Sequence, residues 1–149
     1  MTQSAPPPPL RVLFVDRDVQ TCHALQRLLP TLGYLVTCAT TFATAQRLLE
    51  NQEYHILICD PDLPDGDGLD LLRCAGRNFP TCGLVLSGAV GREAELRALS
   101  AGFAAHLVKP ISATQLEEAM TSALIRWKGA VRQSWNAATQ RPPSAGDAR

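Results

Sequence analysis

Polar residues close off a series of short apolar runs along this chain. Val12-Leu13-Phe14-Val15 ends on Asp16, Ile56-Leu57-Ile58-Cys59 on Asp60, Leu84-Val85-Leu86 on Ser87, and His106-Leu107-Val108 on Lys109. Runs this short and continuous suit strands buried on both faces of a parallel sheet. Between them, apolar residues recur at helical spacing, as in Cys22, Leu25, Leu28, Leu29 and Leu32, then Phe42, Ala45, Leu48 and Leu49. The pattern predicts strands over 12–16, 34–38, 55–60, 83–87 and 104–108. It predicts helices over 19–32, 42–50, 69–77 and 92–101, with a last helix after Pro110. Gly33 and Gly102 stand where helices one and four should stop, and Pro30 is expected to distort the last turn of the first. Five βα units in succession imply right-handed crossovers and an α/β fold. The expected architecture is a doubly wound five-stranded parallel sheet in the order 2-1-3-4-5, with helices on both faces.

In such a sheet ligands bind outside the carboxyl ends of the strands. Asp16, Asp60, Ser87 and Lys109 therefore converge on one pocket holding two carboxylates, a hydroxyl and an ammonium. That set suits a phosphoryl group, held by the protein or received by it.

The last helix carries a second pattern. Ser112 and Gln115 form a capping box at its start. Leu116, Met120, Ala123, Leu124, Trp127, Val131 and Trp135 then follow at intervals of three to four residues, so helix is expected to about residue 139. Gly129 weakens it by about 1 kcal/mol relative to Ala. Between Ala119 and Gly146 the only charges are Arg126, Lys128, Arg132 and Arg141. One reading packs this helix on its own domain. The other makes Trp127, Val131 and Trp135 a contact for a partner or a second copy, with a homodimer favoured. Residues 1–9 end in four prolines and are expected to form a disordered, extended arm. Residues 10–126 form the domain, and 127–149 a helical extension with a flexible tail.

Composition narrows the class. Of 149 residues, 46% are hydrophobic and 19% charged, which suits a globular domain with a real core. Fourteen basic and fourteen acidic residues balance, which argues against a non-specific polyanion binder. The five cysteines are odd in number and lie mostly in apolar runs, as expected of reduced thiols in a cytoplasmic protein. No run approaches the ~18 apolar residues of a membrane span.

The loop Asp60-Pro61-Asp62-Leu63-Pro64-Asp65-Gly66-Asp67-Gly68 is the strongest motif. With Ser87 and the pair Lys109-Pro110, it resembles the receiver domain of bacterial two-component response regulators. Asp60, Pro64, Asp67 and Gly68 match that family's phosphoacceptor loop, and the likeness runs from about Arg11 to Arg126. The resemblance implies a flavodoxin-like fold and a single-domain regulator in a phosphorelay, not an enzyme beyond its own phosphoryl transfer. Asp60 would be the phosphoacceptor, with Lys109 and Ser87 holding phosphoryl oxygens. Asp16, Asp60 and the backbone carbonyl of Asp62 would ligate Mg²⁺. The donor would be a histidine kinase or phosphotransfer protein, and Lys109-Pro110 would be cis. No DNA-binding domain follows in the sequence, so output is expected through protein contacts or a transferred phosphoryl group.

Two residues depart from the pattern. The family carries two adjacent acids after the first strand, and here the pair is Asp16-Arg17. Arg17 is expected to weaken Mg²⁺ binding, or to fill the cation site by pairing with Asp16 or Asp60. Asp18 is expected to cap the following helix. His106 stands three residues before Lys109, where the family has an aromatic switch; the alternative is an ordinary surface histidine. These departures leave open a second function, a degenerate receiver acting as a phosphorylation-independent interaction module. The Asp60-Pro61-Asp62 triplet is also similar to the nucleophile motif of haloacid-dehalogenase-type phosphatases, but that fold needs further acids after the lysine to bind Mg²⁺.

Overall fold

The computed structural model describes residues 8–75 and 80–140, and of 130–140 the backbone alone. Besides a short antiparallel ladder of Asp62–Leu63 with Gly66–Asp67, its strands are β1 (Arg11–Val15), β2 (Leu35–Ala39), β3 (Ile56–Cys59), β4 (Cys82–Ser87) and β5 (Ala105–Val108). They form one parallel sheet in the order β2-β1-β3-β4-β5, the order expected from the sequence. The helices are α1 (Val19–Thr31), α2 (Phe42–Asn51), α3 (Leu71–Ala75), α4 (Arg92–Ser100) and α5 (Ala113–Gln140).

Alternation along the strands divides the core in two. Val12, Phe14, Ile56, Ile58, Leu84 and Leu86 face one layer with Leu25 and Leu29 of α1 and Leu116 and Met120 of α5. Leu13, Val15, Leu57, Cys59 and Val85 face the other, with Ala45 and Leu49 of α2, Leu71 of α3 and Ala98 of α4. Residues on both faces of β1, β3 and β4 are buried, which is why those runs show no period-two polarity.

The helix starts follow local chemistry. The Asp18 side chain accepts from Gln20 N–H at 3.0 Å and caps α1. Ser112 and Gln115 exchange reciprocal bonds at the start of α5: Gln115 N–H donates to Ser112 Oγ at 3.1 Å, and Ser112 N–H to Gln115 Oε1 at 3.0 Å. Pro30 lies inside α1, whose end tightens into bonds from Leu32 N–H to the Leu29 carbonyl and from Gly33 N–H to the Pro30 carbonyl. The third helix starts later than the spacing suggested. Asp67 caps a 3₁₀ turn over Gly68–Asp70, so α3 begins only at Leu71.

The last helix runs unbroken through Gly129 to Gln140, a length of about 40 Å at 1.5 Å per residue. Trp127 is half-buried against the α1–α5 core layer, so this ring serves its own domain at least in part. Val131 and Trp135 lie where only the backbone is described. The arm expected over 1–9 and the tail beyond Gln140 lie largely or wholly outside the described residues. Among the described residues, no helix is long and apolar enough to cross a membrane.

Candidate functional site

The sheet register carries Asp16 and Asp60 to neighbouring positions. Val15 of β1 pairs with Cys59 of β3, and Asp60 N–H donates to the Val15 carbonyl at 2.9 Å. Both acids are therefore the first residues beyond adjacent strands, and both are buried. Ser87 ends β4 opposite Val108 of β5. Lys109 follows, its N–H bonded to the Ser87 carbonyl at 2.8 Å. The Lys109–Pro110 peptide is cis. The four residues meet at one edge because all five strands run the same way.

Lys109 holds the group together. Its Nζ donates to Asp16 Oδ2 at 2.6 Å and to Asp60 Oδ2 at 2.7 Å. Burial works against the Lys109 charge, but these two bonds and the two carboxylate charges outweigh it and raise its pKa. The other carboxylate oxygens are also engaged: Asp16 Oδ1 accepts from Asp18 N–H at 2.9 Å, and Asp60 Oδ1 from Asp62 N–H at 2.8 Å. Ser87 Oγ accepts from Ala89 N–H at 3.0 Å, which leaves its O–H to donate. The arrangement can present a carboxylate oxygen to an electrophile and neutralise anionic oxygens on either side.

Arg17 does not pair with Asp16 or Asp60, one of the two outcomes expected for it. The Lys109 ammonium already stands between those carboxylates. The guanidinium instead reaches Asp62 Oδ2 at 3.4 Å, an exposed pair spanning the mouth from the β1–α1 loop to the β3 loop. His106 is half-buried, not a plain surface residue, and its Nε2 is buried with no hydrogen-bond partner among the described residues.

The remaining loop acids have structural tasks that the motif concealed. Asp65 accepts from Phe42 N–H at 2.6 Å and Ala43 N–H at 3.0 Å, so it supplies a carboxylate to the α2 N-terminus from 23 residues away. Those bonds hold its pKa low. Asp67 accepts from Leu69 N–H at 2.9 Å and pairs with Arg97 of α4 at 3.2 Å. Periodicity carries no signal for either long-range contact. The five cysteines are free, and burial pushes the Cys38 thiol up to about 12 and Cys82 to about 11. Neutral thiols of this kind are poor nucleophiles.

A family model described as the response regulator receiver domain matches residues 12–121. The chain belongs to that family. It is 29% identical over 130 residues to the swarming motility regulation protein RssB of Serratia marcescens, covering 85% of this chain and 58% of that protein. It is 34% identical over 113 residues to protein PetR of Rhodobacter capsulatus, covering 76% and 47%. The chain thus spans about half the length of these curated relatives. Among solved structures, the CheY-like receiver domain protein of Methanospirillum hungatei JF-1 matches with a TM-score of 0.74 and 27% identity, over 82% of this chain and 98% of that one.

Receiver domains generally bind Mg²⁺ in their acidic pocket. Mg²⁺ demands oxygen ligands in near-octahedral geometry. This receiver domain offers two carboxylates, Asp16 and Asp60, whose four oxygens are engaged. A guanidinium follows Asp16, and the Asp62 carboxylate is turned toward it. Among the described residues, no group of three or more His, Cys, Asp or Glu side chains is placed to hold a metal ion. The donor set is one acid short of the pair the family carries after the first strand, with a guanidinium in that acid's place.

Proposed function

We propose that this receiver domain accepts a phosphoryl group on Asp60 in a phosphorelay and signals through protein contacts. The observation that carries the reading is the Lys109 ammonium bonded at once to Asp16 and Asp60. Asp60 is thus a strand-end carboxylate on a cation shared with Asp16, and it opens the loop Asp60–Gly68 that matches the family's phosphoacceptor loop. In the acyl phosphate, Lys109 keeps one phosphoryl oxygen neutralised as a point charge, and Ser87 O–H donates to another. Positioning and charge compensation are most of what phosphoryl transfer asks of a protein. The donor is a histidine kinase or phosphotransfer protein, since a phosphohistidine is an activated phosphoryl source for a carboxylate.

Intact-mass analysis after incubation with acetyl phosphate tests the assignment. The natural chain should gain one phosphoryl group and the Asp60→Asn variant none; equal labelling of both would move the chemistry elsewhere. A phosphorylation-independent role draws on Arg17 at the acid position and on His106 Nε2, buried with no hydrogen-bond partner among the described residues. It predicts partner binding unchanged by Asp60→Asn.

The distal part of α5 is the proposed contact surface, with a second copy of this chain as partner. Because Trp127 also packs on the core, the informative truncation ends at Gly129. That chain should melt like the full one yet scatter as a monomer where the full chain scatters as a dimer. A monomeric full chain would reduce the extension to a terminus without a dimer role.

A further inference from the structure

We propose that Arg17 supplies the charge compensation for which the donor set lacks an acid-bound metal, so that Asp60 accepts a phosphoryl group without Mg²⁺. The inference rests on Asp60 being the acceptor. Three observations lead to it.

The first is charge. Asp16, Asp60 and Lys109 together carry about one negative charge. Converting Asp60 to an acyl phosphate replaces one negative charge by about two, and the buried group becomes more negative by one. A further cation must approach, and Lys109 is already shared with Asp16.

The second is place. Arg17 follows Asp16 directly, and its guanidinium bonds the side chain of Asp62 while Asp62 N–H bonds the carboxylate of Asp60. One residue thus separates the guanidinium from the acceptor.

The third is availability. The Arg17–Asp62 pair is long, at 3.4 Å, with side chains 54% and 81% exposed. Such a pair holds its members loosely. Arg17 stays charged at every accessible pH, and its planar fork matches two phosphoryl oxygens at once. On transfer it leaves Asp62 for the phosphoryl group, and Asp62 turns to water.

The step balances without a metal or a proton. An Asp60 carboxylate oxygen attacks the phosphorus of an acyl phosphate donor, the P–O bond to the donor's carboxyl group breaks, and a carboxylate leaves with that electron pair. Arg17 and Lys109 hold the equatorial oxygens during the exchange.

The test is acetyl phosphate labelling followed by intact mass, with excess chelator in one arm and Mg²⁺ in the other. The natural chain should label at similar rates in both. Arg17→Gln should lose at least about tenfold in rate under chelator, with its melting curve unchanged because the side chain is exposed. Arg17→Lys should recover part of the loss, and Arg17→Asp should label only with Mg²⁺. Natural chain labelled only with Mg²⁺, or Arg17→Gln labelled under chelator at the natural rate, overturns the role of Arg17 and leaves Asp60 as acceptor. No labelling of the natural chain in either arm overturns both.

Discussion

Replacing Lys109 with Met is expected to destabilise the domain by about 2–3 kcal/mol at pH 7 and to abolish stable phosphorylation. The ammonium is the one described cation touching Asp16 and Asp60. Its removal leaves two neighbouring carboxylates without compensation, and Asp16 is only 1% exposed. The magnitude sits below that of a fully buried pair because the Lys109 side chain is 29% exposed. The pH response separates this cause from simple loss of packing. Without the ammonium, one carboxylate holds a proton more tightly folded than unfolded, so the deficit should shrink as pH falls from 7 toward 4. In the natural chain the slope has the same sign but lies at alkaline pH. The folded pKa of Lys109 is raised, so its contribution is whole below 10.5 and is lost as pH rises through the folded value. Urea unfolding of both chains across pH reads these slopes. A Lys109→Met deficit that does not change with pH would mean that the carboxylates are not what the ammonium compensates.

Gly68→Ala is expected to cost about 1–3 kcal/mol and to slow phosphoryl acceptance. A Cβ at Gly68 would press on the backbone carbonyl oxygen of Asp60, with the Asp60 carbonyl carbon and Pro61 Cα next, each at 3.1 Å. Those atoms are main chain and cannot rotate away. The loop is closed by Gly68 N–H donating to the Pro61 carbonyl at 2.9 Å, so relief of the clash shifts the acceptor itself. Gly66→Ala is the control. Its Cβ would meet Phe42 Cγ at 2.9 Å and Phe42 Cβ at 3.2 Å, so it presses on the first residue of α2 rather than on the Asp60 main chain. The expected signature is a larger loss of stability and labelling rate in Gly68→Ala than in Gly66→Ala. Equal effects would mean that loop entropy, rather than contact with Asp60, decides both.

The fold and much of the candidate site were legible because they depend on order along the chain. Parallel strands bring their carboxyl ends together, so an apolar run ending on Asp16, Asp60, Ser87 or Lys109 is enough to group those residues. Caps are equally local: Asp18 and the Ser112–Gln115 pair each reach only two or three residues. What escaped the sequence was contact between distant segments. Asp65 looked like one more acid of the loop, yet it caps α2, and Asp67 binds Arg97. The pairing expected for Arg17 was with Asp16 or Asp60, and its partner Asp62 was not legible, because that depends on where the Lys109 ammonium sits. Helical spacing also placed Trp127 on a stripe without telling how much of the ring the core takes.

The central claim is that Asp60 carries the phosphoryl group, and chemical trapping tests it most directly. Borohydride reduces an aspartyl phosphate to homoserine, which peptide mass mapping locates after acetyl phosphate treatment. The account predicts homoserine at position 60 alone, and at no position in a sample untreated with donor. Homoserine at Asp16, Asp62 or any other carboxylate, with residue 60 unmodified, would contradict it.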